Sequence, residues 1–311
     1  MFESEIQKAW DRYYEDFGLG RILLFICFYN LSVFVYVALV TGTFYFPILY
    51  PIIFSMVFYA FRRKLIRLSI NKFLFTSVIP LSIAVGYNYH LVGQIDRFLA
   101  HFDRMDPFFA KLDLLLFDRL ATEVIEEIFR QLGLVGVIFY DLMMTSYVLY
   151  FFLPFIGFYF YFTILPKNQK YKIGRYIGSI VVFYCLNFFL YLVFPVTGPQ
   201  YYVKDFYHAT LPLSQYGQGL YRFVQVHHQT FIDCFPSGHF GMALLVSFWM
   251  FRIQHPIRWI CVFVSLFIFL ATLGMRYHYL ADLVGSIPLA LVSYGVGKIL
   301  IPTKAQIILK E

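Results

Sequence analysis

Charge is what this sequence has least of. Only 14% of its 311 residues are Asp, Glu, Lys or Arg, where soluble domains carry about a quarter, so the solvated surface of a cytosolic enzyme is excluded. Cysteine is also sparse. Cys27, Cys185, Cys234 and Cys261 lie far apart with no C-x-x-C pair, which supports neither a disulfide framework nor a zinc site. Fixed-period repeats and low-complexity tracts are missing. The opening MFESEIQKAWDRYYEDFG is acidic and polar before any apolar run, so no cleaved signal peptide is expected and the first span acts as its own insertion signal. What fills the chain instead is apolar: 60% hydrophobic residues, 22% aromatics and a mean hydropathy of +0.68. One signal segment cannot supply that, and an integral membrane protein can.

The net charge of +7 and pI near 9.1 would fit a nucleic-acid partner only if Lys and Arg gathered on one solvated face. They stand in short clusters between apolar runs, the pattern of membrane orientation, so the expected partner is the bilayer and no nucleic acid. A span needs about 20 mostly apolar residues. Eight stretches qualify, at roughly 22–42, 44–61, 73–92, 136–163, 175–195, 239–253, 256–275 and 279–301. The expected fold is therefore all-α, a polytopic membrane helical bundle of about eight transmembrane helices. It divides into an N-terminal membrane region (1–93), an interfacial amphipathic segment (94–134), a five-span core (135–303) and a short tail (304–311).

Alternate connections of such a bundle fall on opposite sides. One side collects the clusters at 8–21, 62–72, 167–175, 252–258 and 298–310, most of the 25 basic residues, so both termini are expected in the cytoplasm. Trp249 and Trp259 flank the turn holding Arg252 and Arg258, as aromatic anchors do. The outer side keeps two long connections. Segment 94–134 mixes charge with Leu, Ile and Phe at helical spacing, broken at Pro107. It reads as interfacial helices that either pack over the spans or guide a lipid substrate. Segment 196–238, rich in Pro, Gly, Tyr and Gln, reads as a long irregular loop of functional size.

Ionisable groups near membrane depth are costly and mark function. Asp233-Cys234-Phe235-Pro236-Ser237-Gly238-His239 opens the sixth span, and Arg276-Tyr277-His278-Tyr279-Leu280-Ala281-Asp282 the eighth; the charge pattern puts both on the outer face. At the first start, Ser237 can cap the helix. The amides of Ser237, Gly238 and His239 then face an anion, and Gly238 lets that anion approach. His239 at its edge could donate a proton to a departing oxygen. His278 and Asp282, four residues apart, share a helix face. A carboxylate on one ring nitrogen leaves the other as an oriented lone pair, a nucleophile or base. Arg276 suits phosphate oxygens. Taken alone, H-x-x-x-D also fits a structural hydrogen bond or half of a metal site, and a histidine at a helix start also fits a polar anchor. The two groups meeting on one membrane face point to catalysis.

At these residues the sequence resembles the type 2 phosphatidic acid phosphatase superfamily, which includes vanadium haloperoxidases and the divergent inositol phosphorylceramide synthases. FPSGH (235–239) matches its second motif and H-x-x-x-D (278–282) the core of its third. RYHYLAD (276–282) and FPVTGPQYY (194–202) look most like the synthase branch. The resemblance spans mainly residues 136–301 and implies a phosphatidic acid phosphatase-like core. It also implies that His278 attacks phosphorus, Asp282 orients it, His239 protonates the leaving alkoxide, and Ser237 with Gly238 holds phosphate oxygens, with no metal or other cofactor. The usual motif arginine six residues before the histidine is replaced by Thr272, and the first motif keeps only Lys204 and Pro212. Arg276, Arg222 and Lys204 are then the candidates for the basic half of the phosphate pocket. Asp141 would either pair with one of them or make an interfacial hydrogen bond. His227 and His228 would be solvated or bind an acceptor. The expected function is a lipid phosphate phosphatase or phosphotransferase on the non-cytoplasmic face. The alternatives are a synthase-like transferase passing a phospho head group to a lipid hydroxyl, and a non-catalytic lipid transporter or scaffold.

Overall fold

The computed structural model describes residues 18–65, 70–99, 103–165, 171–207, 210–227 and 230–301. The polar N-terminal stretch, Arg67, Lys167, Lys170, His228 and the tail over 304–311 lie outside the described residues. Regular structure among the described residues is helical, with one isolated parallel bridge between Val196 and Asp233 and no strand. That is what lipid demands, because a helix satisfies its own backbone hydrogen bonds where no water is available.

In chain order the helices of more than one turn are α1 (Leu19–Thr41), α2 (Leu49–Leu65), α3 (Ile70–Leu99), α4 (Asp106–Phe117), α5 (Ala121–Gln131), α6 (Leu134–Leu149) and α7 (Leu153–Ile164). They continue with α8 (Tyr171–Val193), α9 (Gln215–His227), α10 (Gly238–Arg252), α11 (Ile257–Gly274) and α12 (Leu280–Leu300). Five stretches are long and apolar enough to cross a bilayer: Leu19–Thr41, Leu134–Ile164, Lys172–Val193, Ile257–Gly274 and Leu280–Leu300. They match the first, fourth, fifth, seventh and eighth expected spans, and the chain is a multi-pass membrane bundle. The other three expected stretches are helical as well. Residues 44–61 hold a shorter apolar helix, Phe46–Phe61, 73–92 lie inside α3, and 239–253 correspond to the 15 residues of α10.

The chain forms two compact units: residues 1–91, 158–185 and 292–311, and residues 92–157 and 186–291. In the first, α1 ends on Gly42 in the left-handed region (φ 69°), whose N–H closes on Ala38 O, and α2 folds back along α1. The last turn of α12 is held by two cations, Arg21 Nη1 donating to Leu300 O at 3.0 Å and Arg175 Nε to Ile301 O at 2.5 Å, where exposed carbonyls and the helix dipole favour positive charge.

The second unit is built on α6. Tyr140, Met143, Met144 and Tyr147 from α6, Phe267 and Ala271 from α11, and Met275, Tyr277 and Leu213 from the loops form its core. Pro154 lacks the N–H that would continue α6 into α7, and the chain instead takes a 3-10 turn at Tyr150–Phe152. The described residues of segment 94–134 form the end of α3, then α4 and α5, and the break expected at Pro107 falls at the start of α4, with Pro107 in its first turn. Phe108, Leu114, Leu115, Leu116 and Phe117 of α4 are exposed. Asp106 and Asp113, seven residues apart on one side of the helix, are two fully buried carboxylates. Asp106 accepts from Thr197 N, Gly198 N and the Tyr279 hydroxyl at 2.9, 2.8 and 3.1 Å. Asp113 accepts from Ala121 N and Leu280 N at 3.0 and 3.1 Å. Hydrogen bonds to a charged acceptor contribute about 1.5–3 kcal/mol each, and these tie the loops around residues 197 and 279 to α4.

Segment 196–238 departs from expectation, because α9 forms within it despite Gly217 and Gly219. Asp141 of α6 explains the helix. Its carboxylate accepts from Ser214 N at 3.1 Å and Ser214 Oγ at 2.5 Å, just before the first turn. A Cβ on Gly217 would lie 2.1 Å from Asp141 Oδ1, so glycine there is what lets α9 approach α6.

Candidate active site

The loop between α11 and α12 is fixed before any side chain is considered. Thr272 O accepts from both Tyr277 N and His278 N at 3.0 Å, and Gln200 N donates to Arg276 O at 2.8 Å. Arg276 is left-handed, φ 65°, a conformation costing a non-glycine residue about 1–3 kcal/mol, of the kind that collects at functional sites. His278, which follows, is 3% exposed. Its Nδ1 stands 3.3 Å from Asp282 Oδ2 one helical turn on, and its Nε2 stands 3.3 Å from Ser237 Oγ. Asp282 Oδ2 also accepts from Tyr279 N at 2.8 Å. With Nδ1–H donating to the carboxylate, Nε2 holds the lone pair and the Ser237 hydroxyl donates to it.

Ser237 is the N-cap of α10, its Oγ accepting from Phe240 N at 3.4 Å. The structure corrects the picture of free amides at this helix start in one respect. Ser237 N donates to Asp282 O at 2.9 Å, and the Tyr191 hydroxyl stands close to Gly238. A Cβ on Gly238 would lie 2.7 Å from that hydroxyl and 2.8 Å from Asn187 Oδ1, while Asn187 Nδ2 donates to Pro236 O at 2.8 Å. Both motifs are thus joined through main chain as well as side chain. His239 projects from the first turn into an aromatic enclosure. The Tyr147 and Tyr150 rings lie 4.1 Å from its own, centroid to centroid, and Phe151 meets it edge-on at 6.1 Å. The 3-10 turn forced by Pro154 supplies two of these rings. Tyr147 in turn packs 4.8 Å from Tyr277, so the enclosure continues to the residue beside His278.

Sequence reasoning missed Cys234. Its Sγ lies 2.8 Å from Asp282 Oδ2, 3.4 Å from His278 Nδ1 and 3.3 Å from Tyr277 O. Burial, reinforced by the Asp282 carboxylate, pushes its pKa well above the usual thiol range, so it stays a thiol and a donor. Cys234, His278 and Asp282 also offer one ligand atom each within 4.8 Å of one another, a donor set that a soft divalent cation could use. The segment around Gly198 sits directly against this group. A Cβ there would stand 2.4 Å from Tyr277 O and 3.2 Å from Cys234 Sγ, which with φ 90° requires glycine. That places the FPVTGPQYY stretch beside the histidine. No sequence cue linked Asp106 or Asp113 to it.

The basic candidates are disposed differently. Arg276 reaches Glu126 of α5 through Nε at 3.0 Å and Nη2 at 2.6 Å, and its guanidinium lies 4.0 Å over the Tyr207 ring. Arg130 shares the same carboxylate at 2.7 Å. Lys204 and Arg222 are exposed and make no ion pair with another described residue. Asp141 pairs with none of them, being committed to Ser214. His227 closes on its own helix, its Nδ1 standing 2.8 Å from Phe223 O.

A family model described as the PAP2 superfamily matches residues 113–296, a stretch that takes in both motifs. The chain belongs to the PAP2 superfamily. A PA-phosphatase related-family protein of Dictyostelium discoideum is 24% identical over 139 residues, covering 40% of this chain. The chain spans only 24% of that protein's length. No solved structure matches the chain significantly.

Proposed function

We propose that the protein is a membrane lipid phosphate phosphatase or phosphotransferase working through a phosphohistidine on the non-cytoplasmic face. The observation that carries this reading is the dyad: His278 holds Asp282 with one nitrogen and aims the other at Ser237, on the cap of α10. Substrate phosphate first takes the Ser237 hydroxyl for one of its oxygens, freeing Nε2. Nε2 then attacks phosphorus; the N–P bond forms as the ester P–O bond breaks, and His239 gives its proton to the leaving alkoxide. Asp282 stabilises the positive charge that develops on the ring. Neutral His239 next takes a proton from water, whose oxygen attacks phosphorus as the N–P bond breaks, releasing phosphate and restoring both histidines. An alcohol in place of water gives a new phosphoester by the same step. The resemblance to inositol phosphorylceramide synthases bears on that choice of acceptor alone. Sidedness follows from the distribution of basic residues between the spans.

The experiment is turnover of a lipid phosphate panel by purified protein in lipid nanodiscs, with and without a lipid alcohol, in EDTA. The expected results are phosphate release or phosphoester formation that EDTA leaves intact, an acid-labile phosphoprotein, and loss of all three in His278→Ala. Full turnover by that variant would sink the mechanism, and loss of activity in EDTA would give the Cys234–His278–Asp282 group to a metal. For sidedness, a protease site inserted near Lys170 should be cut only from the cytoplasmic face.

A further inference from the structure

Asp282 is held from one side. Its Oδ2 receives Tyr279 N–H at 2.8 Å, the Cys234 thiol at 2.8 Å and His278 Nδ1 at 3.3 Å. Its Oδ1 is buried with no hydrogen-bond partner among the described residues. The orientation of the carboxylate therefore rests on Oδ2 alone. Two of the three donors, Tyr279 and His278, come from the same turn as Asp282 and move with it. Cys234 comes from the other motif, 44 residues from His278 in sequence, and is the donor that ties the carboxylate to a second element.

We infer that Cys234 is a positioning residue of the reaction, its thiol fixing the Asp282 carboxylate so that His278 keeps its proton on Nδ1 and its lone pair on Nε2. The thiol has one proton, and of its two oxygen neighbours Asp282 Oδ2 at 2.8 Å is nearer than Tyr277 O at 3.3 Å. Its pKa, raised by burial, keeps that proton in place. The sulfur also offers a weak acceptor to Nδ1–H at 3.4 Å, so the imidazole proton has two acceptors on the Asp282 side and none is needed on the Ser237 side. Gly198 completes the arrangement: any side chain there would press on the sulfur.

This inference rests on the phosphohistidine reading, and its test has one arm that does not. In the first, kcat and KM are measured for wild type, Cys234→Ser and Cys234→Ala with whichever lipid phosphate turns over. Serine keeps a donor and should hold kcat within about threefold. Alanine leaves Asp282 with two donors and should lower kcat by about 10- to 100-fold, the worth of a hydrogen bond to a charged group, with KM little changed because Cys234 does not touch substrate. In the second arm, 15N shifts of histidine-labelled protein, with the His278 signals identified by their loss in His278→Ala, report the tautomer. The expected result is an Nδ1–H tautomer in wild type and Cys234→Ser and a mixture in Cys234→Ala. If Cys234→Ala does not fold, Cys234→Val, of similar volume and without a donor, replaces it. An unchanged tautomer in the donor-less variant overturns the inference, whether or not its kcat falls. If no lipid phosphate turns over in wild type, the mechanism fails and the tautomer arm still decides the role of Cys234.

Discussion

The two halves of the site are built in opposite ways. Around His278 the arrangement is dry and committed: a nearly buried histidine, a buried carboxylate, a buried thiol and a buried serine, each within 3.4 Å of another. Around the basic residues it is open. Lys204 and Arg222 face solvent, and Arg276, the cation nearest in sequence, spends its guanidinium on Glu126 and Tyr207. On the proposed mechanism the His278 half is preorganised, which is where preorganisation reduces a barrier most. On the same mechanism Arg276 holds its charge in reserve against Glu126, and a phosphate would compete with that carboxylate for it.

The first way to break this comparison is to remove the proposed nucleophile. His278→Ala should abolish phosphate release, and Asp282→Asn, which keeps the shape and loses the charge, should cost about 100-fold or more, as wrong tautomers do in other His–Asp pairs. Phosphate release by both variants, alongside wild type, checks it. Equal activity in Asp282→Asn would mean that the buried half is a structural plug rather than a reaction centre.

How much of this was legible in sequence follows the range of the contacts. The bundle, its apolar spans and the helix starts at Ser237 and Leu280 could be read because they are local: length, apolar runs and a capping serine. The His278–Asp282 pair was legible because four residues make one turn. What could not be read joins distant segments. Nothing in sequence sets Cys234 apart from the other cysteines before α12 is placed against it, and nothing in Asp106 or Asp113 announces that Asp106 will bind the amides of Thr197 and Gly198 and the Tyr279 hydroxyl, or Asp113 the amides of Ala121 and Leu280. Nor does sequence show that Glu126, 150 residues from Arg276, pairs with it. The helix α9 was hidden because its glycines read as loop, whereas Gly217 serves a close helix approach to Asp141.

The reserve of charge can be tested by releasing it. If Arg276 is drawn to phosphate, Glu126→Gln should free it and lower KM about 3- to 10-fold with kcat nearly constant, while Arg276→Ala should raise KM by about tenfold or more, the worth of one charge-assisted contact. Initial rates over a range of lipid phosphate concentration separate the two parameters. If instead the Arg276–Glu126 pair only pins α5 to the loop, both variants should leave KM alone and lower the unfolding midpoint together.

The smallest expected effect sharpens what the buried half costs. Burial, with the Asp282 charge adding to it, pushes the Asp113 carboxyl up to about 6, against the pull of its bonds from Ala121 and Leu280. Because the folded protein holds this proton more tightly than the unfolded chain does, the stability it contributes is complete below about pH 4 and is lost as pH rises through about 6. The loss is at most about 3 kcal/mol at 1.36 kcal/mol per pKa unit. Asp113→Asn cannot titrate. It keeps one carbonyl for one amide and turns its own NH2 toward the other, so it should be the less stable protein at pH 4. Its deficit should then shrink steadily up to pH 7, as the wild type takes on a buried charge beside Asp282. Unfolding midpoints in detergent at half-unit pH steps give the difference directly. A constant difference would show that Asp113 titrates alike in the folded and unfolded protein, and that the buried half of the site holds its second carboxylate without penalty.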